Sequence, residues 1–118
     1  MAWLMVLNAL VALGSAAFGV VALVAPRAMP GNPLDGEATP GTATTYFAQM
    51  YAARAVPFGL GTAAVALLLP TQAATWFLVA GVVELFDALI VFRRARMQAI
   101  PPFVATVIHL ASAWWLLS

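Results

Sequence analysis

Two carboxylates, Glu84 and Asp87, stand three residues apart inside an otherwise apolar stretch, Thr71 to Phe92. Three-residue spacing puts both on one face of a helix. About 20 apolar residues cross the hydrocarbon core of a bilayer, so both carboxylates fall where lipid would be the solvent. Ionisable groups at that depth are costly, and they face a protein interior or a wet cavity. Arg54 lies inside a second apolar stretch, Thr44 to Leu69, with Tyr51 one turn before it. His109, the chain's one histidine, lies inside a third, Ile100 to Ser118. A lone arginine–carboxylate pair would only fix helix register. A second carboxylate, a phenol and an imidazole exceed what pairing requires. Two carboxylates sharing one arginine hold protons unequally, which is how acid and base roles divide within one site. The expected catalytic set is therefore Arg54, Glu84, Asp87, His109 and Tyr51.

Composition says what surrounds that set. The chain has 118 residues, 64% hydrophobic and 8% charged, with a mean hydropathy of +0.99. An ordinary soluble domain is roughly 45–50% apolar, so an integral membrane protein is the expectation. A net charge of +1 with no basic stripe argues against nucleic acid as a partner. The absence of cysteine removes disulfides, a thiol nucleophile and thiolate metal sites. One histidine and no paired-ligand spacing point to no protein-held metal, and no redox-cofactor site is evident.

Four spanning helices are expected, at about residues 3–25, 44–69, 71–92 and 100–118, in a single membrane domain covering 1–118. The first has an uncharged start and an apolar run too long for a signal peptide. In it, Ser15 and Gly19 make a small-x-x-x-small step suited to close helix packing, and Asn8 reads as an interfacial or helix-contact amide. Residues 26–43 hold half of the chain's eight prolines together with Asp35 and Glu37, and read as a long loop, with a lid as one use for it. Pro57, Gly59 and Gly61 interrupt the second span just after Arg54, with a kink expected at the proline. The short link at Pro70 and Thr71 makes spans two and three antiparallel neighbours. Trp114 and Trp115 read as an interfacial anchor.

The fold class that follows is all-α, an antiparallel up-down four-helix bundle in the membrane. Arg27, Arg93, Arg94 and Arg96 all fall in the connections 26–43 and 93–99. The positive-inside rule puts those loops in the cytoplasm and both termini outside, for a protein of the cell membrane. At 1.5 Å per residue, Arg54, Glu84, Asp87, His109 and Tyr51 then lie about 8–15 Å from the cytoplasmic side. Phe47 and Phe58 continue the stripe of Tyr51 and Arg54, while Thr106, His109 and Ser112 form a polar seam. Phe47, Phe58, Thr106 and Ser112 are accordingly the expected substrate-binding residues. Gly81 is expected to leave room near the carboxylates.

The pattern Tyr51-x-x-Arg54 with Gly59, Glu84-x-x-Asp87 and a histidine in the last span resembles small four-helix membrane proteins of actinobacteria and fungi, in the neighbourhood of the DoxX-like proteins. The resemblance implies a four-helix membrane bundle and no particular reaction. Small multidrug transporters differ, because their essential glutamate lies in the first span. Three functions follow from the residues. The leading one is an intramembrane enzyme doing cofactor-free acid–base chemistry on a lipophilic small molecule: epoxide opening or hydrolysis, isomerisation or cyclisation. The second is a proton-linked carrier or ligand-binding membrane protein. The third is a structural or accessory subunit. Lipid bilayer and lipophilic ligand are the expected partners, and a bundle this thin is compatible with a homo-oligomer.

Overall fold

The computed structural model describes residues 1–25, 42–93 and 95–118, with backbone alone for 42–47. Its long elements are four helices: α1 (Ala2–Val24), α2 (Thr42–Leu68), α3 (Ala73–Phe92) and α4 (Ile100–Leu117). Each is long and apolar enough to cross a membrane. Observed ends fall within two residues of those expected. Thr42 and Ala43, expected in the loop, open α2 instead; Thr71 and Gln72, expected in the third span, form a short 3₁₀ turn with Pro70, and a second such turn, Arg96–Ala99, occupies an expected connection. Residues 26–41, where a loop or lid was expected, and Arg94 lie outside the described residues. Helix α2 continues unbroken through Pro57, Gly59 and Gly61.

The helices pack chiefly in pairs, α1 along α2 and α3 along α4, with slimmer seams between α1 and α4 and between α2 and α3. Alanine dominates the buried apolar positions, among them Ala9, Ala12, Ala52, Ala66, Ala73 and Ala80. In a bilayer there is little hydrophobic drive between helices, and small residues let backbones approach closely. Gly59 meets backbone directly: a Cβ there would lie 2.5 Å from the carbonyl oxygen of Ala12. Gly19, the small residue read from the α1 pattern, packs against Ala55 and Val56 of α2 in the same way.

Gly81 requires a correction. It opens no space for the carboxylates, because a Cβ there would lie 2.5 Å from Leu110 Cδ2 of α4. Its absent side chain is filled by a neighbouring helix. Large apolar side chains such as Leu10, Leu60, Leu78, Phe86 and Ile90 are exposed on the outside of the helices, consistent with helices apolar enough to cross a membrane. Trp114 and Trp115 are likewise exposed.

One end of the interior is closed by a cluster to which all four helices contribute: Met5, Ala9, Ala63, Ala73, Phe77 and Ala113. Toward the other end, the α2–α3 seam is bridged by few side chains. Trp76 Nε1–H donates to Thr62 Oγ1 at 2.7 Å, and its ring stacks on Phe58 with centroids 5.8 Å apart. Beyond them lies the candidate site.

Candidate functional site

Arg54 projects from α2 and donates through one guanidinium nitrogen to Asp87 Oδ1 of α3 at 2.7 Å. The guanidinium also lies over the Tyr51 ring, 5.6 Å from its centroid. This ion pair is not sealed in: the Arg54 side chain is 44% exposed and that of Asp87 18%. Arg54 is twelve residues in from the start of α2 at Thr42, or about 18 Å along the helix. Asp87 is five residues before the end of α3 at Phe92, or about 8 Å. The pair therefore forms the mouth of a cleft.

Glu84, one turn deeper on the same face of α3, takes a different partner. Its Oε1 accepts a hydrogen bond from Ser15 Oγ of α1 at 2.5 Å, at the short end for a hydroxyl donor. Two adjacent carboxyl groups are thus held from two directions, one by a cation and one by a neutral hydroxyl. That asymmetry suits a division of labour between them.

His109 of α4 lies deeper again, nine residues along from Ile100, or about 13 Å. Its ring sits beside that of Phe77, with centroids 5.9 Å apart, and its Nδ1 is 2.6 Å from Asn8 Oδ1 of α1. Asn8 in turn donates through Nδ2 to the Leu4 carbonyl and to Ser112 Oγ, both at 2.8 Å.

A single cleft joins these groups. Tyr51, Arg54, Glu84, Asp87 and His109 all line it, with Ser15, Phe58, Thr62 and Val83 among the other wall residues. Its atom-free space is ≈ 370 Å³ counted out to the open side, but only ≈ 20 Å³ admits a water-sized sphere. That is room for about one water molecule. The polar groups are strung along the cleft, with the ion pair at the mouth and the imidazole inward.

The expected binding residues divide. Phe58 lines the cleft, whereas the side chain of Phe47 lies outside the described residues. Thr106 is buried but donates to the Pro102 carbonyl of its own helix, 2.9 Å away, and it is not part of the cleft wall. Ser112 is also absent from the wall and serves Asn8 instead. The seam of α4 thus faces α1 more than the cleft, because α1 supplies the buried amide it needs.

Asn8, Ser15 and Thr62 belong to the site or its support, and sequence spacing did not assign them there. A signal existed for two of them: Asn8, Ala12, Ser15 and Gly19 recur at helical spacing as a small and polar stripe on α1. Among the described residues, no three His, Asp or Glu side chains group closely enough to hold a metal ion.

No protein family, curated protein or solved structure matches the chain. What the geometry defines is a class: an all-helical chain with four helices fit to cross a membrane and an ionisable cleft between them.

Proposed function

We propose that the protein is an intramembrane enzyme that opens a lipophilic epoxide, or isomerises or cyclises a related small molecule, by acid–base chemistry in this cleft. One observation carries the reading: Glu84, Asp87, Arg54, Tyr51 and His109 line a single cleft. In the proposed hydrolysis, Glu84 takes a proton from water as the water oxygen attacks an epoxide carbon. The carbon–oxygen bond breaks, and its electron pair stays on the ring oxygen. Arg54, aimed by Asp87, stabilises that oxygen, and Tyr51 protonates it. His109 passes the proton from Glu84 back toward Tyr51, which restores the set and leaves a diol. Apolar wall residues such as Phe58 and Val83 suit a hydrocarbon body. The bundle is proposed to run antiparallel, up and down, with the connections 26–43 and 93–99 cytoplasmic and both termini outside. Kinship with the DoxX-like neighbourhood belongs to the same proposal.

The test is turnover of a panel of long-chain terminal epoxides by the protein in lipid vesicles, with diol measured in oxygen-labelled water. Glu84→Gln, Asp87→Asn and Arg54→Met each abolish turnover while folded protein stays in the membrane. Retained turnover in all three variants sinks the proposal.

A second reading, a proton-linked carrier of lipophilic ligands, draws on the exposure of Arg54 at the cleft mouth. Ligand flux driven by a pH gradient, with the ligand chemically unchanged, would establish that reading in place of the first. Loss of folded protein in every site variant, with no ligand bound, would leave a structural subunit.

A further inference from the structure

The hydrogen bonds around Asn8 decide which nitrogen of His109 carries its proton. The Leu4 carbonyl oxygen can only accept, so the amide edge 2.8 Å from it is the NH₂ group. The same NH₂ donates to Ser112 Oγ. Asn8 therefore has only its carbonyl oxygen to present to the third neighbour, His109 Nδ1, at 2.6 Å. That oxygen cannot donate, so Nδ1 must. In a neutral imidazole the other nitrogen, Nε2, is then a bare acceptor. Asn8, His109 and Ser112 are 0%, 1% and 3% exposed, so water does not compete for these bonds.

Nε2 has no hydrogen-bond partner among the described residues, although His109 is buried. Buried polar atoms are ordinarily paired, and an exception calls for an occupant. His109 lines the cleft while Asn8 and Ser112 do not, so the ring is gripped from behind and reaches the cleft with its remaining edge. We propose that Nε2 of His109 is a fixed acceptor site for an O–H donor, either water or a ligand hydroxyl, and that Asn8 is the positioning residue that fixes it. The part this site plays in a reaction rests on the function proposed above; the tautomer does not.

The single histidine makes the test direct. The full chain, carrying histidine labelled with heavy nitrogen, is placed in lipid nanodiscs, and its one imidazole is read by NMR. The expected spectrum has a protonated Nδ1 and an unprotonated Nε2. In Asn8→Leu the proton moves to Nε2 or exchanges between the two nitrogens. In Ser112→Ala it stays on Nδ1, because Asn8 still donates to the Leu4 carbonyl and keeps its oxygen toward the ring, and this variant controls for general disturbance of the packing. A wild-type proton on Nε2, or an unchanged spectrum in a folded Asn8→Leu protein, overturns the proposal.

Adding dodecanol to the discs separates the two donors. An Nε2 signal that moves with the alcohol identifies a ligand hydroxyl. One that ignores the alcohol but responds to heavy water identifies bound water, and no response to either removes the site. In the epoxide assay, Asn8→Leu lowers kcat about a hundredfold with KM within about twofold, as expected for lost proton transfer. A wild-type protein with the expected tautomer but no turnover sinks the reaction and leaves the acceptor site standing.

Discussion

The two ends of the cleft handle buried polarity in opposite ways. Inward, Asn8, His109 and Ser112 are at most 3% exposed and hydrogen-bond one another. At the mouth, Arg54 and Asp87 form an ion pair whose side chains are 44% and 18% exposed. Removing an ion from water costs several kcal/mol even after the protein relaxes. An unmet amide or hydroxyl costs about 1–3 kcal/mol. The groups are thus arranged by desolvation cost, with the ion pair at the open mouth and the amide and imidazole in the dry interior. Glu84 lies between, held by a neutral hydroxyl. The lesson is that the inward end should contribute more to folding stability than the mouth, while the chemistry is shared along the cleft.

Substitutions can break that division or sharpen it. The largest effect expected is on turnover: Glu84→Gln lowers epoxide hydrolysis by about a hundredfold or more in the vesicle assay, with thermal unfolding little changed. An equally large loss of folded protein would place Glu84 with the structural end. Next comes Gly59→Val, which drives a side chain into the Ala12 backbone and costs about 1–3 kcal/mol or more, read as a lowered unfolding midpoint in detergent. Asn8→Leu strands the Ser112 hydroxyl and the Nδ1 edge of His109, for a loss of about 1–3 kcal/mol by the same measurement. Smallest is the stability effect of Asp87→Asn. Because the pair sits at the open mouth with Arg54 44% exposed, that change costs about 1 kcal/mol or less. If unfolding shows Asp87→Asn to be worse than Asn8→Leu, the contrast between the ends is wrong.

Much of this was legible in the sequence, for a physical reason. A span must be apolar over its whole length, so helix ends appeared wherever that requirement lapsed, at Pro70 and after Phe92. Local periodicity then put Tyr51 and Arg54 on one face and Glu84 and Asp87 on another. What periodicity could not supply was the partner of an isolated polar residue. Asn8 meets His109 across 101 positions, and Ser15 meets Glu84 across 69. Such pairings depend on which helix face turns inward, and α1 carries too few polar residues to declare its face strongly. Gly81 failed for a related reason: a missing side chain reads as space until the neighbour that fills it is known. The polar seam of α4 was seen, but its direction toward α1 was not.

The alanine-lined interior has a consequence for how this chain can change over generations. Alanine has no side-chain rotamers to rearrange and little bulk to lose, so trimming such an interior does little harm. Enlarging it pushes one helix away from another. Mutational tolerance should therefore be lopsided: inward positions should accept glycine or serine more readily than valine or leucine. Lineages descended from this chain should diversify on the lipid-facing surface while the distances between helix axes stay nearly constant.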